Sequence, residues 1–261
     1  MGNLIHNPEE VPKDKKLIIF DLDGTLTESK VEMDPEMASL LGELLKFKKV
    51  VVIGGGKYDQ FHRQFLNKLS ASGELLQNLF LFPTTATVFY KYNGSQWQEI
   101  YNQKLTEEEK KMIFSAFEKT FQELNYKHPA QIYGELVEDR GSQITFSALG
   151  QDAPLAAKEI WKKENTDLKL KIAETLKKYL PDMEVTAAGY TSIDITRKGI
   201  DKEYGIRQIK EYLEVSFEDI LFVGDAFFSG GNDEAALRTD VLCFEVKGPE
   251  DTKKLIEHLI K

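Results

Sequence analysis

Two aspartates separated by a single leucine, Asp21 and Asp23, close the apolar run Leu17-Ile18-Ile19-Phe20 and lead into Gly24-Thr25. A carboxylate at the first position can attack phosphorus and form an acyl phosphate. A second carboxylate two residues on lies on the same side of the departing chain, where it can protonate a leaving oxygen and later activate water or another hydroxyl. Alone, Asp-x-Asp-Gly is equally compatible with a capped turn. A calcium loop of the EF-hand type fails, because it needs flanking helices and a third acidic residue before the glycine.

Three other polar clusters complete the chemistry. Gly54-Gly55-Gly56-Lys57 follows the run Val50–Ile53, Gly224-Asp225 through Asn232-Asp233 follows Ile220–Val223, and Arg197-Lys198-Gly199-Ile200-Asp201-Lys202 opens a helical stretch. Carboxylates and phosphate repel, so such a site needs cations. A hard Mg²⁺ on Asp21, the Asp23 carbonyl and a distant aspartate would supply one, with Asp225 and Asp233 as candidates for that ligand. Lys202 would supply a second, pairing with Asp21 and the phosphoryl group. The N–H groups of Gly54, Gly55 and Gly56 are expected to cradle the remaining oxygens.

The elements that position these residues are legible as pattern. Four short apolar runs, 17–20, 50–53, 220–223 and 241–246, read as buried parallel strands. Amphipathic stretches at 34–47, 58–69, 201–213 and 249–260 separate them. Buried strands alternating with helices predict a doubly wound α/β sheet, in which ligands bind beyond the carboxyl ends of the strands. The middle of the chain reads differently. Residues 85–101 alternate around Asn93-Gly94, a hairpin signal. A helix at 106–124, alternating runs at 131–141 and 142–149, a helix near 155–179 and strands near 183–187 and 191–196 follow. We therefore expect a core built from 1–83 and 190–261, with an α+β insert at 84–189 that contains both Trp97 and Trp161. The charged stretch 162–171 reads as a solvated helix face.

Composition excludes some classes. The 261 residues carry a net charge of −9, which argues against nucleic acid or an anionic membrane as partner but not against small phosphorylated molecules. The single cysteine, Cys243, lies in an apolar strand and reads as a buried thiol. No basic-then-apolar leader opens the chain, and no apolar run approaches the ~18 residues of a span, so a cytoplasmic protein is expected.

Taken together, these motifs resemble the haloacid dehalogenase superfamily, with an insert similar to the cap of its subclass IIB. "DLDGTLT" (21–27), "VIGGG" (52–56), "DITRKGIDK" (194–202) and "SGGND" (229–233) are similar to the corresponding motifs of the eukaryotic-type phosphomannomutases. That resemblance implies Asp21 as nucleophile, Asp23 as acid and base, Asp225 as metal ligand, and Asp233 as a ligand or as a carboxylate orienting the metal's water. Gly54 stands where many relatives place Ser or Thr, which implies phosphate binding there by backbone alone. In the cap, Arg140 matches a mutase arginine, and Ser192 and Asp194 match positions that hold sugar hydroxyls. Two further arginine positions are Gln151 and Lys158 here. Glutamine carries no charge and lysine is a point charge, so a weakened grip on a second phosphate is expected. The expected function is accordingly a Mg²⁺-dependent phosphatase of hexose or similar sugar phosphates, with phosphomannomutase as the alternative and a non-catalytic binding protein as a remote one. The resemblance also implies a homodimer through the cap.

Overall fold

The computed structural model describes residues 3–261. Met1 and Gly2, part of the expected core segment, lie outside the described residues. In chain order the elements are β1 (Leu4–Ile5), β2 (Leu17–Asp21), α1 (Pro35–Leu44), β3 (Lys49–Ile53), α2 (Tyr58–Phe61), α3 (Gly73–Leu76) and β4 (Leu79–Phe82). Next come α4 (Pro83–Ala86), β5 (Val88–Tyr92), β6 (Trp97–Asn102), α5 (Glu107–Glu123), β7 (Val137–Asp139) and β8 (Ile144–Ser147). The chain ends with α6 (Leu155–Tyr179), β9 (Met183–Ala188), β10 (Ser192–Arg197), α7 (Lys202–Leu213), β11 (Ile220–Gly224), β12 (Leu242–Glu245) and α8 (Pro249–Ile260).

The core is an eight-stranded sheet in the order β1-β12-β11-β2-β3-β4-β5-β6, in which only β5 runs against the other strands, pairing antiparallel with both β4 and β6. Every residue of β2, β4 and β11 is buried, because helices cover both faces. On one face α1 and α8 contribute Met37, Leu41, Leu44, Leu255, Ile256 and Leu259. On the other, α7 contributes Ile206 and Ile209. Helix α1 starts where expected: Asp34 caps it by accepting from the Glu36 and Met37 N–H groups at 3.0 and 3.1 Å, and Pro35 needs no partner there. Cys243 is buried in β12.

The insert is a four-stranded antiparallel sheet, β7-β8-β10-β9, with α5 and α6 on one face. Alternation decides its two faces. Ile144, Phe146, Ile193 and Ile195 pack with Phe117 and Ile172 of the helices, whereas Thr145, Ser147, Ser192 and Asp194 face the core.

Several expectations are corrected. The 88–102 hairpin extends the core sheet instead of the insert: β5 pairs antiparallel with β4, and Phe89 stacks on Phe82 at 4.4 Å. Trp97 accordingly packs against the core, while Trp161 is buried in the insert. Strand β10 belongs to the insert sheet, so the divisions at 83/84 and 189/190 fall inside other units. Hydrophobic alternation identifies a strand but not its neighbour, which is why the hairpin went to the wrong sheet. The run 131–141 yields only a three-residue strand, and the apolar "LFLF" of β4 was not anticipated. Finally, 162–171 is not uniformly solvated: Lys169 is 8% exposed and its side chain lines the cavity between insert and core.

Candidate active site

Register brings the motifs together. Asp21 ends β2 opposite Ile53 of β3, Gly224 ends β11 on the other side of β2, and Lys202 is the first residue of α7. The Lys202 ammonium donates to Asp21 Oδ1 at 2.5 Å and to Asp233 Oδ1, with all three groups buried. The other oxygen of Asp233 accepts from the Asp225 and Ala226 N–H groups at 3.0 and 2.9 Å. A Cβ at Gly224 would lie 2.4 Å from that oxygen, so only glycine admits the arrangement. Burial pushes the Asp21 carboxyl well above the ordinary range, Lys202 opposes this, and Asp233 and Asp225 add to it. Burial, and next the charge of Asp233, push Asp225 up to about 7.

Asp23 is oriented by three N–H donors: backbone Lys30 at 2.6 Å, Gln64 Nε2 at 2.8 Å and Gln60 Nε2 at 3.3 Å. Sequence reasoning missed all three donors. The available signal was Gln60 and Gln64 at i,i+4 spacing, which puts both on one helical face. Gly24, at φ +89°, lets the loop approach Asp225; a Cβ there would lie 2.5 Å from Asp225 Oδ2.

The glycine loop is held from behind. Its three carbonyls are all engaged: Gly54 O by Thr85 N–H and Gly56 O by Thr84 N–H, both at 2.9 Å, and Gly55 O by Gln143 Nε2 at 3.0 Å and by Arg140 Nη1. The two threonine donors sit in α4, whose residues Thr84, Thr85 and Ala86 have φ of 49°, 55° and 63°. Such left-handed geometry in three consecutive non-glycine residues is costly, and here it aims two donors at the loop. Gly55 and Gly56 keep N–H groups with no partner among the described residues, free to bind an anion. Gly54 does not: its N–H donates to Phe82 O at 3.3 Å, which corrects the expected three-amide cradle.

The insert closes over these groups. Arg140 is tied on all sides, its Nε to Glu138 at 2.8 Å, its Nη1 to Gly55 O and its Nη2 to Gln151 Oε1 at 2.9 Å. Lys30, also unanticipated, reaches across from the core to the Gln151 side-chain and main-chain oxygens at 2.8 Å each. Burial and the nearby Arg140 and Lys158 lower Lys30 to about 8. Asp194 accepts from Thr145 Oγ1 at 2.7 Å and abuts Gly55, where a Cβ would lie 2.4 Å from it; burial raises its carboxyl. Ser192 bonds Ser147 at 3.0 Å. Lys158 is 3% exposed and has no hydrogen-bond or ion-pair partner among the described residues. Asp21, Asp23, Gly54–Gly56, Arg140, Lys158, Ser192, Asp194 and Asp225 all line one cavity. Phe227 packs under the sheet edge-on to Phe222, whereas Phe228 lines the cavity and is 59% exposed.

The donor set fits a hard divalent cation. Oxygens of Asp21, Asp225 and Asp233 lie within 4.8 Å of one another. Asp225 accepts no hydrogen bond from another side chain among the described residues and faces Asp21, so a cation would relieve their repulsion. Asp233 has both oxygens engaged, so its place is to hold Lys202 and the 225–226 backbone; Asp21 and Asp225 are the open donors.

Fold and site together define a phosphotransferase of the haloacid dehalogenase superfamily. The chain belongs, more narrowly, to the family described as eukaryotic phosphomannomutase, which matches residues 37–261. That match begins beyond Asp21 and Asp23, whose assignment stands on the site geometry. The phosphomannomutase of Spinacia oleracea is 30% identical over 250 residues, covering 91% of this chain and 93% of that one. A probable phosphomannomutase of Caenorhabditis elegans is 27% identical over 258 residues, covering 95% and 96%. Among solved structures, an IMP-bound IMP-nucleotidase of Plasmodium falciparum superposes with a TM-score of 0.73 at 15% identity, over 97% of this chain and 70% of that one. Trehalose-6-phosphate phosphatase of Aspergillus fumigatus gives 0.53 at 14% identity over 95% and 93%. At such identities these two structures speak to the fold alone. Among the described residues no helix is long and apolar enough to cross a membrane.

Proposed function

We propose that this chain is a Mg²⁺-dependent phosphomannomutase-type enzyme that moves a phosphoryl group between the 6- and 1-positions of mannose through Asp21. The observation that carries the reading is the pairing of Asp21 with Lys202 beside an Asp23 held by three N–H donors, in a chain similar to phosphomannomutases over nearly its whole length. Lys202 holds Oδ1 of Asp21 and favours its ionised form, leaving Oδ2 to attack phosphorus as the bond to the sugar oxygen breaks. Asp23 gives that oxygen a proton. It then takes one from the hydroxyl that attacks the aspartyl phosphate in the return step. The Gly55 and Gly56 N–H groups bind the equatorial phosphoryl oxygens. Magnesium on Asp21 and Asp225 would supply the positive charge that lets an anionic nucleophile meet an anionic phosphoryl group.

A second reading, hydrolysis of hexose phosphates, is favoured by Gln151. It stands where the mutases keep an arginine, carries no charge, and is occupied with Lys30 and Arg140. A weaker hold on the distal phosphate would let water reach Asp21. Incubation of mannose 1-phosphate with magnesium and a hexose bisphosphate activator separates the two. Mannose 6-phosphate is the expected product; free mannose and inorganic phosphate in its place would overturn the mutase reading.

A further inference from the structure

The two free amides of the glycine loop are aimed by whatever holds the carbonyls behind them. In a trans peptide the N–H of one residue and the carbonyl of the residue before it share a plane and point in opposite directions. The Gly55 N–H is therefore set by the Gly54 carbonyl, and the Gly56 N–H by the Gly55 carbonyl. On the core side, Thr85 N–H takes Gly54 O at 2.9 Å. On the insert side, Gln143 takes Gly55 O through Nε2 at 3.0 Å, alongside Arg140. Gln143 is fully buried and both polar atoms of its side chain are engaged. Its Nε2 also donates to Thr145 Oγ1 at 2.9 Å, and its Oε1 accepts from Thr85 Oγ1 at 3.0 Å. The two residues that aim the amides are thus bonded to each other across the seam. Thr85 needs that support, because three consecutive left-handed non-glycine residues persist only where their surroundings over-determine them. Tyr101 fixes Ala86 O from the core at 2.8 Å. The buried hydroxyls of Thr84, Thr87 and Ser142 close a ring with separations of 2.6, 2.6 and 3.2 Å, Ser142 again coming from the insert.

We propose that Gln143 is a positioning residue for phosphoryl transfer, contributed by the insert. It orients the Gly56 N–H directly and the Gly55 N–H through Thr85, so the anion cradle is complete only when the insert is seated on the core. Gln143 does not line the cavity, so it acts through the loop and not on the substrate. With the insert open the amides lose their aim, and the transferring phosphoryl group is poorly stabilised; transfer is thereby tied to enclosure. This rests on the phosphotransferase site and not on mannose as substrate, and it holds equally for a sugar hydroxyl or water as acceptor.

Gln143→Met keeps the length of the side chain and removes both hydrogen-bonding groups. Calorimetric titration with magnesium and orthovanadate reads the cradle, because orthovanadate is a five-coordinate stand-in for the transferring phosphoryl group and needs no sugar recognition. Gln143→Met is expected to lose at least about fivefold in orthovanadate affinity. Thr85→Val should lose affinity as well, and adding it to Gln143→Met should cost less than about twofold more, since the two act as one unit. Thr85→Ser, which keeps the hydroxyl, should stay within about twofold of the native chain. Heteronuclear NMR should show the Gly56 amide resonance displaced in Gln143→Met. Orthovanadate affinity within about twofold of native in Gln143→Met, or an unmoved Gly56 resonance, overturns the proposal. A lowered Tm with native affinity would make Gln143 a structural residue only and overturns it too. Should Gln143→Met not fold, Thr85→Val carries the same test, with the Gly55 resonance as its readout. If the native chain binds no orthovanadate, the role of Asp21 in phosphoryl transfer falls instead, and the Gly56 resonance alone decides the part played by Gln143.

Discussion

Asp21 and Asp233 share one ammonium, and that single group decides how both behave. Without Lys202 two buried carboxylates would face each other with no internal cation. Lys202→Met is therefore expected to destabilise the fold by about 3–5 kcal/mol, as does removal of one partner from other buried pairs. A loss below about 1 kcal/mol in urea unfolding would mean that solvent or another cation already compensates them. Asp21→Asn removes the nucleophile but keeps an Oδ1 that accepts from Lys202, which retains Asp233 as its charged partner. It should cut phosphoryl transfer by at least about 10³-fold while leaving the unfolding transition in place. The four residues Asp21, Asp23, Lys202 and Asp225 were legible in the sequence because each sits at a strand or helix end marked by a local apolar run. Lys30, Gln60 and Gln64 were not: the i,i+4 spacing of the glutamines shows a shared face but not that Asp23, 37 and 41 residues away, is their partner, and Lys30 meets Asp23 only through the folded loop between them.

Among the elements, α5 shows how a local start signal becomes a tertiary clamp. Thr106 and Glu109 form a capping box, and Glu109 also takes the Arg197 guanidinium of β10 at 2.7 and 2.8 Å. Those bonds, Arg197 foremost, hold Glu109 at about 2. The unfolded chain titrates it at the ordinary glutamate value, so the stability it contributes is complete above that value and is lost as pH falls toward 2. Glu109→Gln should flatten the acid limb of the stability profile; an unchanged slope would show that the clamp contributes nothing. At the other end of the core, α7 terminates with exposed Glu214 at φ 51°, where glycine is the preferred residue. Glu214→Gly should raise stability by about 0.5–1 kcal/mol. Helix ends of this kind are written locally and were predicted to within a few residues. The left-handed α4 was not, because "PTTA" carries no glycine to announce it.

At the scale of the whole molecule, insert and core meet through a few specific bonds. Arg140 and Gln143 reach Gly55 O, Lys30 reaches Gln151, and Thr87 donates to Ser142 at 2.6 Å. Asp194 abuts Gly55 so closely that Gly55→Ala must displace the Asp194 carboxylate from its place at the seam between the two units. That variant should lose at least about tenfold in kcat/KM with little change in Tm; wild-type kinetics would show that the observed closure is not the working state. Lys169 adds a dependence on pH. Burial, and next Lys162, lower it to about 8, while the unfolded chain titrates it near the ordinary lysine value. Over that interval the unfolded state binds more protons, so stability without an anion rises as pH increases through it. Lys169→Met should remove that part of the rise, measured as Tm at pH 8 and at pH 9.5.

The sequence by itself determined the chemistry: a nucleophile and an acid two residues apart, a lysine, a distal aspartate and a glycine loop, in the order a doubly wound sheet brings together. Such information is local, since a strand end is marked by the residues that form it. Only the tertiary structure decided that the hairpin extends the core, that Gly54 has no N–H to offer, and that α6 buries Lys158 and Lys169. Each depends on which surfaces meet. Period-two and period-3.6 patterns show that a face will be buried; the partner is chosen by packing between segments far apart in the chain.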